Sequence, residues 1–322
     1  MNHAPAAPQK LQAGFSYGRL VRRRTYGSLI ASVVVAYLVV SLGIIVFTSP
    51  DFEWDVIGSY IFNPVILSGV WATIWLTVAT SGAAMIIGLV LAAMMESSNA
   101  LLKAVATGWV WVFRGVPALV QLLIWYNLAS LFPTVNIGIP PFGPVFFTAD
   151  PNSFMTPILA ALLGLTLSES AYMAEIIRGG FLSVGVGQRE AAAALGVTNR
   201  KTLFRIVLPQ AMRPIIPALG NQVIGMLKVT SLAAMIGAEE LLSKAQAIYS
   251  VNFEIMPLLI VCSIWYLFLT TVLTLGQRRI EKRFGRGFGA ETPRRSRQRS
   301  RTKESAPAAP TTVPALEEEV AR

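Results

Sequence analysis

The sequence predicts an all-α integral membrane protein built as a bundle of six transmembrane helices, and three observations predict it. Hydrophobic residues make up 54% of the 322 residues and charged ones only 14%, with a mean hydropathy of +0.57, too apolar for a soluble domain of this size. The apolar residues gather into runs of bilayer length, at 29–47, 66–92, 105–131, 156–177, 214–237 and 256–276, each near or above the ~20 residues needed to cross hydrocarbon. Lys and Arg, which resist translocation, alternate between the connections. With the N-terminus inside, the inner segments hold Lys10, Arg19, Arg22 to Arg24, Lys103, a charged loop at 178–213 and the tail from Arg278, whereas the outer loops hold only Lys244. Asp51, Glu53, Asp55, Asp150, Glu239, Glu240 and Glu254 fall outside or at the outer boundary.

Taken in order, residues 1–28 form a basic segment, expected to be cytoplasmic. The run at 29–47 is longer than a signal-peptide core, and no small-residue cleavage site precedes Asp51, so it reads as a retained helix. In the third run Pro117 follows Arg114 and Gly115; it removes a helical hydrogen bond and is expected to kink the span, either freeing carbonyls to face a cavity or acting in architecture alone. Pro133 to Pro157, rich in Pro, Gly and Phe, is longer than a minimal loop and reads as an external lid, a docking surface or only a connection.

Between the fourth and fifth runs, Gln188 to Gln210 is a charged helix-turn-helix stretch. Glu190 to Leu195 is nearly all strong helix former, Gly196 stands where a left-handed cap is wanted, and Thr198 or Asn199 can open a second helix that Pro209 is expected to end. In that second helix Leu203, Phe204, Val207 and Leu208 recur at helical spacing opposite Arg200, Lys201 and Arg205. Pro214 and Pro217 are expected to set the angle at which the fifth span leaves this loop. The last segment, 286–322, carries the basic run Arg294 to Lys303, Ala- and Pro-rich sequence and Glu317 to Glu319. It reads as a disordered tail drawn to anionic lipid by about 1 kcal/mol per basic residue. Together with the sided distribution of cations it accounts for the net charge of +10 and pI near 10.0 without nucleic acid.

Enzymatic chemistry has little to work with. The only histidine is His3, the only cysteine is Cys262, and no Gly-rich phosphate loop is present, so neither a metal cluster, a Cys–His nucleophile nor an intrachain disulfide can be assembled. The informative polar residues lie inside the spans, where a charge is costly unless it faces a cavity or a partner. Arg114, Glu169, Glu175 and Lys228 stand out. Glu169 is expected either to pair with Arg114 or Lys228 or to border, with Gln121, Lys228, Thr230 and Ser231, a polar cavity near the midplane, and Arg114 is a further candidate for the substrate pathway.

Glu190, Ala191, Ala192 and Gly196 resemble the EAA loop of the integral membrane subunits of ABC importers, the helix that docks into the ATPase. AYMAEIIRGG (Ala171 to Gly180), LPQAMRPIIPALGN (Leu208 to Asn221) and LKVTSLAAMIG (Leu227 to Gly237), with GVWATIWLTVATS (Gly69 to Ser81) and FRGVPALVQLLIWY (Phe113 to Tyr126), look like consecutive signatures of the polar amino acid permease family of histidine, glutamine and glutamate type. The resemblance covers about residues 66–285. It implies a five-helix type I importer core, extended here by the helix at 29–47, in the cytoplasmic membrane of a prokaryote with both termini cytoplasmic. It implies as partners two copies of an ABC ATPase, an extracytoplasmic amino-acid-binding protein and a second permease subunit, identical or homologous, with ATP and Mg on the ATPase and no cofactor on this chain. Glu190, Ala191, Ala192, Leu195 and Gly196 would couple to the ATPase: Glu190 by accepting hydrogen bonds or pairing with a base, or else only by serving the helix dipole, and Ala191 and Ala192 by giving a smooth surface. One departure is Val229, where the family commonly has Asp beside the Lys. The alternative function is an ion-coupled secondary transporter, whose folds show repeats with paired broken helices, and no convincing repeat is found. A non-transporting anchor or sensor is a second.

Overall fold

A computed structural model describes residues 26–138 and 143–284; the basic N-terminal segment up to Arg24 and the tail 286–322 lie outside the described residues. In chain order the helices are α1 (Tyr26–Thr48), α2 (Trp54–Tyr60), α3 (Pro64–Met95), α4 (Ala100–Gly115), α5 (Ala118–Tyr126), α6 (Leu128–Leu131), α7 (Pro151–Phe154), α8 (Pro157–Leu182), α9 (Val186–Ala194), α10 (Asn199–Thr202), α11 (Leu208–Val229), α12 (Leu241–Asn252) and α13 (Ile255–Phe284). A short 3-10 turn, Pro50–Phe52, precedes α2, a π turn, Leu203–Val207, joins α10 to α11, and a 3-10 stretch, Thr230–Ile236, prolongs α11. Two antiparallel strands, β1 (Val135–Gly138) and β2 (Val145–Ala149), interrupt the otherwise helical chain between α6 and α7.

Local sequence starts the long helices where expected. Asn63 accepts from Val65 N, Asn99 from Leu101 N and Thr156 from Leu159 N, and Pro64 and Pro157 stand in first-turn positions where a missing N–H costs nothing. Five helices are long and apolar enough to cross a bilayer, and a sixth span exists if α4 and α5 count as one. That pair carries the kink expected at Pro117 in the span at 105–131, and carries it further: the chain turns by 100° between Gly115 and Ala118. Pro117 therefore breaks the helix outright, because its ring and the extended conformation it imposes on Val116 (ψ 130°) abolish a full turn.

The core is centred on α3 and α8, which run in the same direction through the bundle. Gly88 makes their contact close, since a β-carbon there would lie 2.9 Å from Met173 Cβ, and small residues are what let membrane helices approach without a hydrophobic drive between them. Around this pair, α5 packs through Leu122 on Ala160, Ala161 and Leu165, α4 through Ala106 and Val110 on Ala171 and Ala174, and α13 through Leu258 and Val261 on Ile66 and Leu241. By contrast α1 buries no residue in the chain, although Trp54 stacks on Phe47 and donates from Nε1 to Val46 O.

One expectation about the fifth span is corrected. Pro209 does not end a helix; it is the second residue of α11, which continues to Val229 with Pro214 and Pro217 inside it. The π turn explains this, because Leu208 N donates to Leu203 O, one residue beyond the α-helical partner, so the ladder is already shifted where the proline lacks its donor.

Candidate functional site: a coupling loop and three polar clusters

The loop between α8 and α11 is built on a helix stop. Gly196 takes φ 69°, Gly196 N donates to Ala193 O and Val197 N to Ala192 O, each at 3.0 Å, a Schellman closure that satisfies two terminal carbonyls of α9. Thr198 then opens α10 from an extended conformation, with Thr202 N donating to its carbonyl at 2.9 Å. The loop is fixed to the bundle by apolar contacts, Val184 and Val207 packing with Ala92, Ile177, Ala211 and Ile215. Above that contact lies a cleft of 540 Å³ between Leu89, Ala93 and Glu96 of α3 and Arg189, Asn199 and Leu203 of the loop.

Of the five residues assigned to coupling, Glu190, Ala191, Leu195 and Gly196 are exposed, Leu195 at 81%. Ala192 is 2% exposed, which corrects its placement on the outer surface: it is buried within the loop, where α9 packs against α10 and the π turn, while Ala191 is exposed. Glu190 is the fifth residue of α9, past the first turn where a carboxylate serves the helix dipole, and it makes no ion pair among the described residues. An exposed leucine and a carboxylate without an ion pair thus stand together on a hydrogen-bonded helix closure.

The polar residues expected to share one cavity are instead divided among three places. Gln121, 4% exposed, donates from Nε2 to Phe113 O at 3.0 Å and Val116 O at 2.8 Å, with Ser168 Oγ at 3.5 Å. The Phe113 carbonyl is the one that Pro117, four residues on, cannot serve. Carbonyls expected to face a cavity are thus taken up by Gln121. Glu169 is 7% exposed, has Gln222 of α11 as hydrogen-bonding neighbour and leaves Oε1 unpartnered. It pairs with neither Arg114 nor Lys228. Arg114 lies 4.0 Å from Glu175 and 5.3 Å above the Tyr172 ring, while Glu175 is held more tightly by Arg178 at 2.9 Å. Ser81 Oγ, Thr166 Oγ1 and Gln121 Oε1 are the other buried side-chain oxygens without partners among the described residues.

Lys228 and Ser231 form the third place. They line a cleft of 620 Å³ between α11 and α13 with Ser263, Tyr266, Thr270 and Thr274, and no acidic side chain lines it. Thr230 is fully buried and donates to Leu227 O at 2.7 Å, so it belongs to the core of the turn and not to the cleft.

Glu240, expected at the outer boundary, is fully buried. Its carboxylate accepts from Tyr266 Oη at 2.7 Å, Thr73 Oγ1 at 3.3 Å and Ser243 N at 2.9 Å, and Thr73 Oγ1 accepts from Leu241 N at 3.1 Å. The start of α12 is thereby drawn into the bundle, where Gly69 leaves room: a β-carbon there would stand 2.8 Å from Leu241 Cα. A signal existed in the sequence, since Gly237 stops one helix and an acidic cap three residues later opens an apolar one. The neighbouring Glu239 is exposed and receives Lys244 at 2.6 Å, which holds its carboxyl below the ordinary value.

The described residues form a multi-pass helical bundle with an exposed two-helix loop between α8 and α11, an architecture shared with membrane transport subunits. The chain belongs to the family described as binding-protein-dependent transport system inner membrane component, which matches residues 84–286. Similar proteins include the arginine transport system permease protein ArgU of Corynebacterium glutamicum, 38% identical over 81% of each chain. The L-cystine transport system permease protein TcyB of Bacillus subtilis is 37% identical, covering 72% of this chain and 92% of its own, and the glutamine transport system permease protein GlnP of Escherichia coli is 32% identical, covering 72% and 98%. Among solved structures, an amino acid ABC transporter is 34% identical with a TM-score of 0.59 over 69% of this chain and 95% of that one. The MetNI methionine ABC transporter shares the fold at 18% identity and a TM-score of 0.55. These likenesses give no support to the ion-coupled alternative.

Proposed function

We propose that the chain carries polar amino acids across the cytoplasmic membrane as half of an ATP-driven import pathway. The substrate class is supported by relatives named for arginine, cystine and glutamine transport. In this reading two copies of an ATPase hold ATP and Mg, a separate extracytoplasmic protein delivers the amino acid, and a second bundle, identical or homologous, completes the pathway. The chain itself holds no nucleotide. Both termini face the cytoplasm, as the cation distribution supports.

The observation that carries the reading is the α9 turn, with Glu190, Ala191 and Leu195 exposed on a closure anchored through Val184 and Val207 to the spans. A partner that grips this loop moves α8 and α11 together. Along the pathway, the Lys228 and Ser231 cleft offers a cation and several hydroxyls to a carboxylate, and Glu169 offers an unpartnered oxygen to an ammonium; the contacts are few enough for release. The test is co-purification in lipid with a co-expressed ATPase and binding protein, with ATP hydrolysis assayed against a panel of amino acids. Stimulation by one amino acid, abolished by Glu190→Lys while expression and folding stay intact, is the expected result; absence of any associated ATPase overturns the reading.

A further inference from the structure

The hairpin β1–β2 and its flanks expose large apolar side chains: Leu131, Phe132, Val145, Phe146 and Phe147 are 55–70% exposed. No helix packs extensively against it, since its strands are held chiefly by each other. Two facts locate it. Only Phe132 to Thr134 separate the end of α6 from β1, and three residues reach at most about 11 Å. On the other side β2 runs through α7 directly into α8. The ribbon is therefore tethered by both ends to the boundary where two spans leave hydrocarbon.

The ribbon is also two-faced. Its register places Val135 opposite Ala149, Asn136 opposite Thr148 and Ile137 opposite Phe147, with side chains alternating along this regular part, before a bulge at Phe146 brings Val145 opposite Gly138. Val135, Phe147 and Ala149 share one face. Asn136 and Thr148 share the other, with Thr148 Oγ1 donating to Asn136 Oδ1 at 2.8 Å. No Asp, Glu, Lys or Arg occurs from Gly115 to Ala149. A soluble partner that docks and leaves reads a polar, charged rim, which this ribbon does not provide. A bilayer interface takes an aromatic, uncharged face beneath a polar one and needs no charge on neutral lipid.

We propose that the hairpin is a monotopic lipid contact: it lies in the headgroup zone with its Phe147 face toward the acyl chains and its Thr148 face toward water. Its backbone is satisfied by its own ladder except at the edges, which at this depth remain in reach of headgroups and water. The contact braces the long connection between α5 and α8 against the membrane beside the bundle. Assignment of this leaflet as the outer one rests on the proposed orientation; the lipid contact does not.

The test uses the full chain with its co-expressed ATPase in phospholipid nanodiscs, with single nitroxide labels at Phe147→Cys, Val135→Cys and Thr148→Cys. Cys262 is 3% exposed and does not compete for label. Accessibility to oxygen, which concentrates in the membrane, is compared with that to a water-soluble nickel chelate. The expected result is alternation: an oxygen-to-nickel ratio several-fold higher at 135 and 147 than at 148, unchanged by an added extracytoplasmic binding protein. Equal, water-like ratios at all three positions overturn the proposal, as does protection at 147 that arises only when the binding protein is present. ATPase stimulation is read on the same samples, so a failure of the transport reading is distinguishable from a failure of the lipid contact.

Discussion

Gln121 shows how a single side chain decides what a helix break is for. Pro117 strips one donor from the helix, and the resulting turn leaves the Phe113 and Val116 carbonyls to be served by one amide. Leaving a buried backbone acceptor unmet costs roughly 1–3 kcal/mol. Gln121→Leu, which keeps the volume and removes the donor, is therefore expected to lower the thermal unfolding midpoint in detergent, whereas Gln121→Glu in its protonated form retains one donor and loses less. An unchanged midpoint in the leucine variant would show that water serves those carbonyls. Sequence displayed Pro117 plainly and made Gln121 visible as a polar residue in an apolar run. It did not display that the second answers the first, because that pairing depends on the 100° turn.

At the scale of elements, the α9 closure concentrates the functional argument. Gly196 has open space around its α-carbon, so a side chain there meets no neighbour, and the only penalty is the positive φ. For a β-branched residue that conformation costs on the order of 1–3 kcal/mol. Gly196→Val is expected to reshape the turn without unfolding the bundle: basal ATP hydrolysis by the assembled complex persists, substrate stimulation falls several-fold, and normal stimulation in that variant would contradict a coupling role. This turn was legible in the chain, since strong helix formers followed by Gly give a local signal. The α10–α11 junction was not, because proline reads as a terminator unless the ladder ahead of it is already displaced. The strands were equally hidden: the Pro-, Gly- and Phe-rich stretch announces irregularity, and only the cross-strand register makes it a ribbon.

On the scale of the whole molecule, apolar runs and cation asymmetry sufficed for the spans, but not for which polar residues meet. Periodicity places a residue on a face of its own helix and is silent about the neighbour opposite. Arg114 thus pairs with Glu175 rather than Glu169, and Lys228 and Glu169 occupy separate places. If both border one route across the membrane, as proposed, Glu169→Gln combined with Lys228→Met should reduce amino acid uptake at least ten-fold while the complex still assembles and hydrolyses ATP at its basal rate. Unchanged uptake would remove both from the pathway. Glu240 lies outside that test, being wholly engaged by Thr73, Tyr266 and Ser243.

The π turn at Leu203–Val207 inserts one surplus residue into an otherwise continuous helical rod. Each residue of an α-helix turns the chain by about 100°, so this surplus acts as a phase offset between the cytoplasmic loop and the span that follows. It allows Phe204 to stand 57% exposed while Val207 and Ala211, which would share its stripe on a regular helix, are buried. The azimuth of the surface proposed to meet the ATPase is thereby set independently of the azimuth of the span proposed to border the pathway, and removing a single residue from the turn would rotate one against the other without changing any side chain on either.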